Sequence, residues 1–238
     1  VYNEILNRIE KKNEKILSLK ATKEKLEQQN MNLSNTNHSL KEELTKSKTN
    51  NNYNINYILK LKNNFLPDTD YVNKLFPDSF IFMKAKETIG GDFYCVFEKA
   101  GSRYIVAGDC TGHGIPGGVL SVLSMSLLQH IMLKTDTPDP ESVLRKLNDE
   151  MTTMLNPSNS NPNFFFDGLD LAMLQIDTKR QRARFAGAKR PLYIIRGSEI
   201  LTFQGTPYPI GKFEKKQKVF EQQEIRLVDD DRLYLFTD

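Results

Sequence analysis

Along the first forty-seven residues the apolar positions recur every seven. Leu19, Leu26, Leu33 and Leu40 form one seam, which extends back through Lys12 to Ile5. A companion seam three residues earlier runs Ile9, Ile16, Lys23, Asn30, Asn37 and Leu44. With the first seam at d and the second at a, the pattern holds for about six heptads. No Gly or Pro interrupts it before Pro67. Asn30 and Asn37 stand at a, where Asn costs stability but favours two parallel strands in register, because the amides pair across the axis. Lys12 and Lys23 in the seams argue against a tight, higher-order bundle. A single amphipathic helix lying on its own domain is the simpler alternative. However, a 45-residue helix is about 65–70 Å long, far more than a domain of this size covers. The pattern therefore predicts a parallel dimeric coiled coil over 1–47.

The stretch KSKTNNNYNI (46–55) is Asn-rich and leaves the heptad, which predicts a joint. Residues 48–67 read as a linker carrying a short helix, about Tyr57 to Phe65, stopped by Pro67. Beyond it the period changes. SFIFMKA (79–85) and RYIVAGD (103–109) read as strands, Ile115 to Leu133 as a helix with Pro116 in its first turn, and Asp139 to about Met154 as a second, capped helix. NPSNSNPN is a polar loop. Six strand-like runs follow, LDLAMLQI, RARFAGA, PLYIIR, EILTFQ, KVFEQQEIRL and DRLYLFTD, separated by turn signals such as RGSE and VDDD. Consecutive strands joined by short turns imply antiparallel sheets, and two adjacent helices make the class α+β, a layered domain over 68–238. A dinucleotide-binding fold is excluded, since strands and helices do not alternate and no GxGxxG opens a helix.

Composition changes this picture little. The chain is 39% hydrophobic and 26% charged, ordinary for a globular protein. Its net charge of +3 lies in residues 1–50, where ten basic and seven acidic side chains interleave; the remainder is neutral. That is a solvated helix rather than a nucleic-acid stripe, and it leaves a metal-dependent nuclease without its basic groove. Two cysteines, Cys95 and Cys110, are too few for a disulfide scaffold and fit a reducing cytoplasm. With no activating neighbour they read as packing thiols. No run of about 20 apolar residues is present to span a membrane, and Val119 to Leu133, broken by serines, reads as a buried helix. The chain opens on Val in what reads as mid-helix, as a piece of a longer protein would.

Candidate chemistry lies in carboxylates at strand ends or beside glycines: Asp92 in IGGDFY, Asp109 in VAGDCTGHG, Asp167 and Asp170 in FFDGLDLA, and Asp238 in LYLFTD. Several acids at several strand ends can converge, and converging carboxylates need a cation. Oxygen ligands without a His/Cys set point to Mg²⁺ or Mn²⁺ rather than zinc. Two such ions acidify a bridging water and clamp a phosphoryl group. Plainer roles exist for each acid: Asp109 as a loop cap, Asp92 as a turn residue, Asp167 and Asp170 as turn or helix-dipole residues. His113, between two glycines, reads better as a loop-bracing group than as a general base.

Taken in order, IGGDFY, AGDCTGHGIPGGVLSVL, FFDGLDLAML, FAGAKRPLY, YPIG and LYLFTD resemble the bacterial serine phosphatases of the SpoIIE/RsbU type, which are PP2C-like and metal-dependent. The resemblance covers about residues 54–238. It implies a four-layer αββα sandwich, two antiparallel sheets flanked by helices, with two Mn²⁺ or Mg²⁺ ions at one edge between the sheets. By motif match it makes Asp92 and Asp109 the catalytic metal ligands, Cys110 a ligand through its backbone carbonyl, and Asp238 a further ligand. The function so implied is hydrolysis of phosphoserine or phosphothreonine in a protein by metal-activated water. The implied partners are an upstream sensor and a phosphoprotein, in the family's usual case a STAS-domain anti-sigma-factor antagonist. The family continues past the position of Asp238, so this polypeptide is expected to be feeble against p-nitrophenyl phosphate. The competing expectation is a catalytically degenerate dimeric scaffold.

Overall fold

A computed structural model of the 238-residue chain describes residues 2–85, 87–155, 168–177, 179, 181–211 and 218–237. Asp167, Asp238 and the polar loop after Met154 lie outside the described residues, so the expectations placed on them are not addressed below. The chain divides into two compact units, 1–53 and 54–238.

In the first unit, residues 2–53 belong to helix α1 (Tyr2–Phe65), and every side chain in them is exposed. Both seams are bare: Ile9 is 51% exposed, Leu26 54% and Leu40 56%. Local order comes from within the helix, through Thr hydroxyls donating to carbonyls four residues back and exposed pairs such as Lys23–Glu27. The helical backbone runs on through residues 46–55, where the sequence predicts a joint. Asn has only a modest helix penalty, so an Asn run without Gly or Pro does not force a break.

The second unit takes the end of α1, then α2 (Thr69–Leu75), β1 (Asp92–Lys99), β2 (Ser102–Cys110), α3 (Gly114–Lys134), α4 (Pro140–Leu155), β3 (Leu169–Asp177), β4 (Arg182–Ala188), β5 (Leu192–Arg196), β6 (Glu199–Phe203), β7 (Gln222–Arg226) and β8 (Arg232–Tyr234). Two antiparallel sheets result, one ordered β1-β2-β3-β4-β7 and the other β6-β5-β8. The class is α+β, with the two sheets packed face to face and helices against the large one.

The first hairpin corrects the strand expected at 79–85. That segment has no ladder, and Phe80 and Phe82 are 79% and 82% exposed. The strand forms instead at Asp92–Lys99, because Ala100 and Gly101 both take positive φ (52° and 76°) and close a two-residue turn onto β2. Such a turn matches the twist of its flanking strands, so pairing is local.

Alternation along the large sheet sorts its residues into two cores. Tyr104, Val106, Leu171 and Met173 face α3 and α4, meeting Met125, Leu128, Val143, Leu144 and Leu147. Ala172, Leu174 and Phe185 face the small sheet, meeting Leu192 and Ile194. α3 is apolar and long enough to cross a membrane by length and composition, yet Met125, Leu128, Ile131 and Met132 are buried in this core. α4 starts as its sequence predicts: Pro140 is its first residue, and the Asp139 carboxylate accepts from the Ser142 amide at 3.1 Å.

Candidate active site

β1, β2 and β3 are paired so that Asp92 stands opposite Asp109, and Asp109 opposite Asp170. Directly opposed residues in antiparallel strands share a face, with Cβ atoms about 5 Å apart. The three carboxylates therefore form one row across three strands. Its face follows from the alternation. Asp170 is two residues from Ala172, which belongs to the intersheet core, so the row lies at the end of that core. All three residues are partly exposed.

The sequence singles out Asp92 and Asp109 for this spot, and the register brings them together. Asp170, read from sequence as a turn or helix-dipole residue, is instead the second residue of β3 and third in the row. Its signal was present: an acid inside the alternating run LDLAML belongs to a strand face rather than a turn. Three basic residues were missed. Arg190 Nη2 donates to Asp109 Oδ2 at 2.8 Å, and its Nε lies 3.7 Å from Asp170 Oδ2. Lys189 Nζ is 3.4 Å from the Asp170 carboxylate. Lys62, near the end of α1, is only 4% exposed, and its Nζ donates to the backbone carbonyls of Gly90 (2.7 Å) and Asp92 (2.5 Å). Burial pulls the Lys62 pKa down, while Asp92, Cys110 and Asp109 oppose the shift by favouring its charged form. Lys62 could have been suspected as an unexplained cation on the apolar side of YILKLKNNF; nothing in the sequence paired it with a loop about thirty residues on.

Around the row, the loop AGDCTGHG takes defined places. Cys110 is buried, its Sγ 3.4 Å from Ser124 Oγ, and burial pushes its thiol up to about 12. Cys95 is likewise pushed up to about 12 by burial. Both are packing thiols, neither poised to be a thiolate ligand. The Cys110 carbonyl instead lies against Gly91, where a Cβ would collide with it. Residue 91 must be glycine for the Asp92 loop to lie this close to the end of β2. Thr111 ties the same loop to the start of β3, donating from its amide and hydroxyl to the Gly168 carbonyl at 3.1 and 2.6 Å. His113 stands at the N-cap of α3 without capping it, 79% exposed, with Nδ1 2.9 Å from Glu87 Oε1. That is a brace between two loops.

The donor set consists of carboxylates and backbone carbonyls, which suits a hard divalent cation and offers nothing soft. Asp92 and Asp109, opposed on adjacent strands, are close enough to share one ion. Among the described residues no three His, Cys, Asp or Glu side chains converge tightly enough to hold a metal alone. The fit is thus of donor type and of the Asp92–Asp109 pair, with the Cys110 carbonyl beside them.

Two antiparallel sheets with a carboxylate row at the end of the core between them define a class, that of the PP2C-like phosphatase domains. The structure is similar to the SiaA-PP2C domain of Pseudomonas aeruginosa, with a TM-score of 0.66 and 28% identity over 79% of this chain and 72% of that one. It shares its fold with the RsbU and RsbW domains of Rv1364c from Mycobacterium tuberculosis, at TM-score 0.50 and 13% identity, over 63% of this chain and 39% of that one. The family model for stage II sporulation protein E (SpoIIE) matches residues 99–238, and the chain belongs to that family. No curated protein matches it. Its fold is that of the PP2C-like serine phosphatases of the SpoIIE/RsbU kind.

Proposed function

We propose that the chain is the phosphatase module of a bacterial signalling protein, hydrolysing phosphoserine or phosphothreonine in a protein substrate. The observation that carries this reading is the opposition of Asp92 and Asp109 across β1 and β2 within a domain of this family. Asp92, Asp109 and the Cys110 carbonyl are the groups that would hold Mn²⁺ or Mg²⁺, with Asp238 as a further ligand by motif. Bound there, two such ions supply an acidified water and neutralise charge on the phosphoryl oxygens. The chain's own residues do the rest. Thr111 and Lys62 fix the loops that carry the two acids. The intersheet core closes one side of the row to water, and the partly exposed carboxylates leave the other side open to a phosphoprotein.

The bare seams of α1 support a second element, a parallel homodimer through residues 1–47. An unpaired helix with this many exposed Leu and Ile gains most by burying them against an identical copy in register. An upstream sensor acting through this helix, a STAS-domain antagonist as substrate and a cytoplasmic setting complete the proposal. Phosphate release from a phosphoserine protein or peptide, measured on the intact protein with Mn²⁺ and with EDTA, tests it. Release that needs metal and falls in Asp109→Asn supports the reading. A dimer that binds the phosphoprotein without releasing phosphate would favour the degenerate scaffold.

A further inference from the structure

The three acids of the row each have a basic counterpart. Lys62 binds the backbone of Asp92, Arg190 the carboxylate of Asp109, and Lys189 the carboxylate of Asp170. Arg190 is the best placed of the three. It reaches the middle acid, its side chain is 17% exposed, and its guanidinium spans from Asp109 to within 3.7 Å of Asp170. Carboxylates on neighbouring strands of this row, with Cβ atoms about 5 Å apart, repel in a partly dry place, and a charge-assisted bond to the central one offsets part of that repulsion.

The backbone under Arg190 is held in place. Lys189 takes a left-handed φ of 61° and its amide donates to the Thr206 carbonyl at 2.7 Å. Thr206 in turn donates from its amide and hydroxyl to the Gly187 carbonyl at 2.8 and 2.9 Å. The Arg190 carbonyl fills space that a Cβ on Gly187 or Gly205 would need. A strained turn kept by this many contacts is over-determined. The main chain is therefore fixed, so a displacement of the guanidinium from Asp109 has to come from rotation about the side-chain stem.

We propose that Arg190 is an internal counter-cation that competes with the divalent metal for Asp109. This rests on the metal-dependent reading of the site and adds to it the residue that sets metal affinity. The same carboxylate oxygen cannot serve a guanidinium at 2.8 Å and a divalent cation without bringing two positive charges together. Metal entry then requires the guanidinium to leave Asp109, and the ion pair lowers the apparent affinity by the strength of that bond. Arg190 is on this account a positioning residue, acting through Asp109.

The experiment is a Mn²⁺ titration of the intact protein, followed by electron paramagnetic resonance of free Mn²⁺, with thermal melting in parallel. Arg190→Gln is expected to bind Mn²⁺ about tenfold more tightly than the unmodified protein, a change equal to about 1.4 kcal/mol. Its metal-free Tm is expected to fall, and its gain in Tm on adding Mn²⁺ to exceed that of the unmodified protein. Arg190→Lys keeps the charge and is expected to stay within about twofold of the unmodified protein. Unchanged Mn²⁺ affinity in Arg190→Gln overturns the proposal and leaves the metal site standing. Weaker binding overturns it too, and shows instead that the guanidinium aims Asp109 at the metal. Tightening in Arg190→Lys equal to that in Arg190→Gln removes charge as the cause and overturns it as well. No Mn²⁺ binding by any of the three overturns both this inference and the metal-dependent reading.

Discussion

The two compact units of this chain are written in the same kinds of side chain and end in opposite states. In residues 2–53 every side chain is exposed, including the Leu and Ile of both seams. In residues 54–237 Leu, Ile and Met of the same size are at or near zero exposure, among them Leu128, Leu144, Leu147 and Met173. The difference lies in where each apolar face finds its partner. A strand of the large sheet meets helices on one side and a second sheet on the other, all within one chain. The heptad seam has a face whose Leu and Ile are exposed. Hydrophobic period alone reports that a face will be buried, not against what.

Changes at the site should separate the units most sharply. Asp109→Asn is expected to lower metal-dependent phosphate release at least a hundredfold, since even residues behind metal ligands cost 10–100-fold, while the mass in solution stays that of the unmodified protein. Leu144→Ala, between α4 and the large sheet, should lower the stability of the second unit by about 3 kcal/mol, read as a Tm drop of several degrees. The same truncation at Leu26 in the seam should leave the Tm of that unit unchanged. Leu33→Ser with Leu40→Ser is expected to halve the mass at micromolar concentration, as measured by sedimentation, and to uncouple phosphatase activity from its upstream input without moving the melting of the second unit. A strict monomer before any mutation would break the comparison.

A smaller effect concerns the pair Arg196–Asp231. The Asp231 side chain is 1% exposed, takes two bonds of 2.8 and 2.7 Å from Arg196 and accepts from the Val228 amide. The Arg196 hydrogen bond holds its carboxyl below the ordinary range. A depressed folded value means the contribution is fully present above the unfolded pKa of about 3.9 and is lost as pH falls through the lower folded one. Asp231→Asn should therefore lower Tm by a few degrees at pH 7 and flatten the acid limb of the stability curve below pH 4. Smallest of all, Arg145→Ala, which removes an exposed pair with Glu141, should change helix stability by no more than about 0.5 kcal/mol.

Much of the second unit was legible because its signals are local. The α3 and α4 boundaries follow from Pro116, Asp139 and Pro140. The strands from Leu169 onward follow from alternation and turn residues. SFIFMKA failed as a strand because strand propensity needs a ladder partner, and FYCVFEK had the nearer one through the Ala100–Gly101 turn. The Asn-rich stretch keeps a helical backbone, because helix continuation needs only the absence of a breaker, and the division between the two compact units falls within it. At the site, Asp92 and Asp109 were legible beside their glycines. Asp170 was misread because its role depends on the β2–β3 register, which brings together residues about sixty apart. Lys62 and Arg190 were missed because nothing near them in sequence marks which carboxylate or carbonyl they will meet.

The order of residues determined α3, α4 and most of the strands, the seven-residue seam, the oxygen-only donor set and the motif order that places it among PP2C-like phosphatases. These rest on periodicity and chemistry that act over a few residues. Tertiary structure alone decided that three acids form a single row at the end of the intersheet core, that Arg190 pairs with the middle one, and that a buried lysine from α1 holds the backbone of the first. Those outcomes depend on strand register and on the closure of long loops. Their free energy comes from burying whole faces at once, and no local pattern records it.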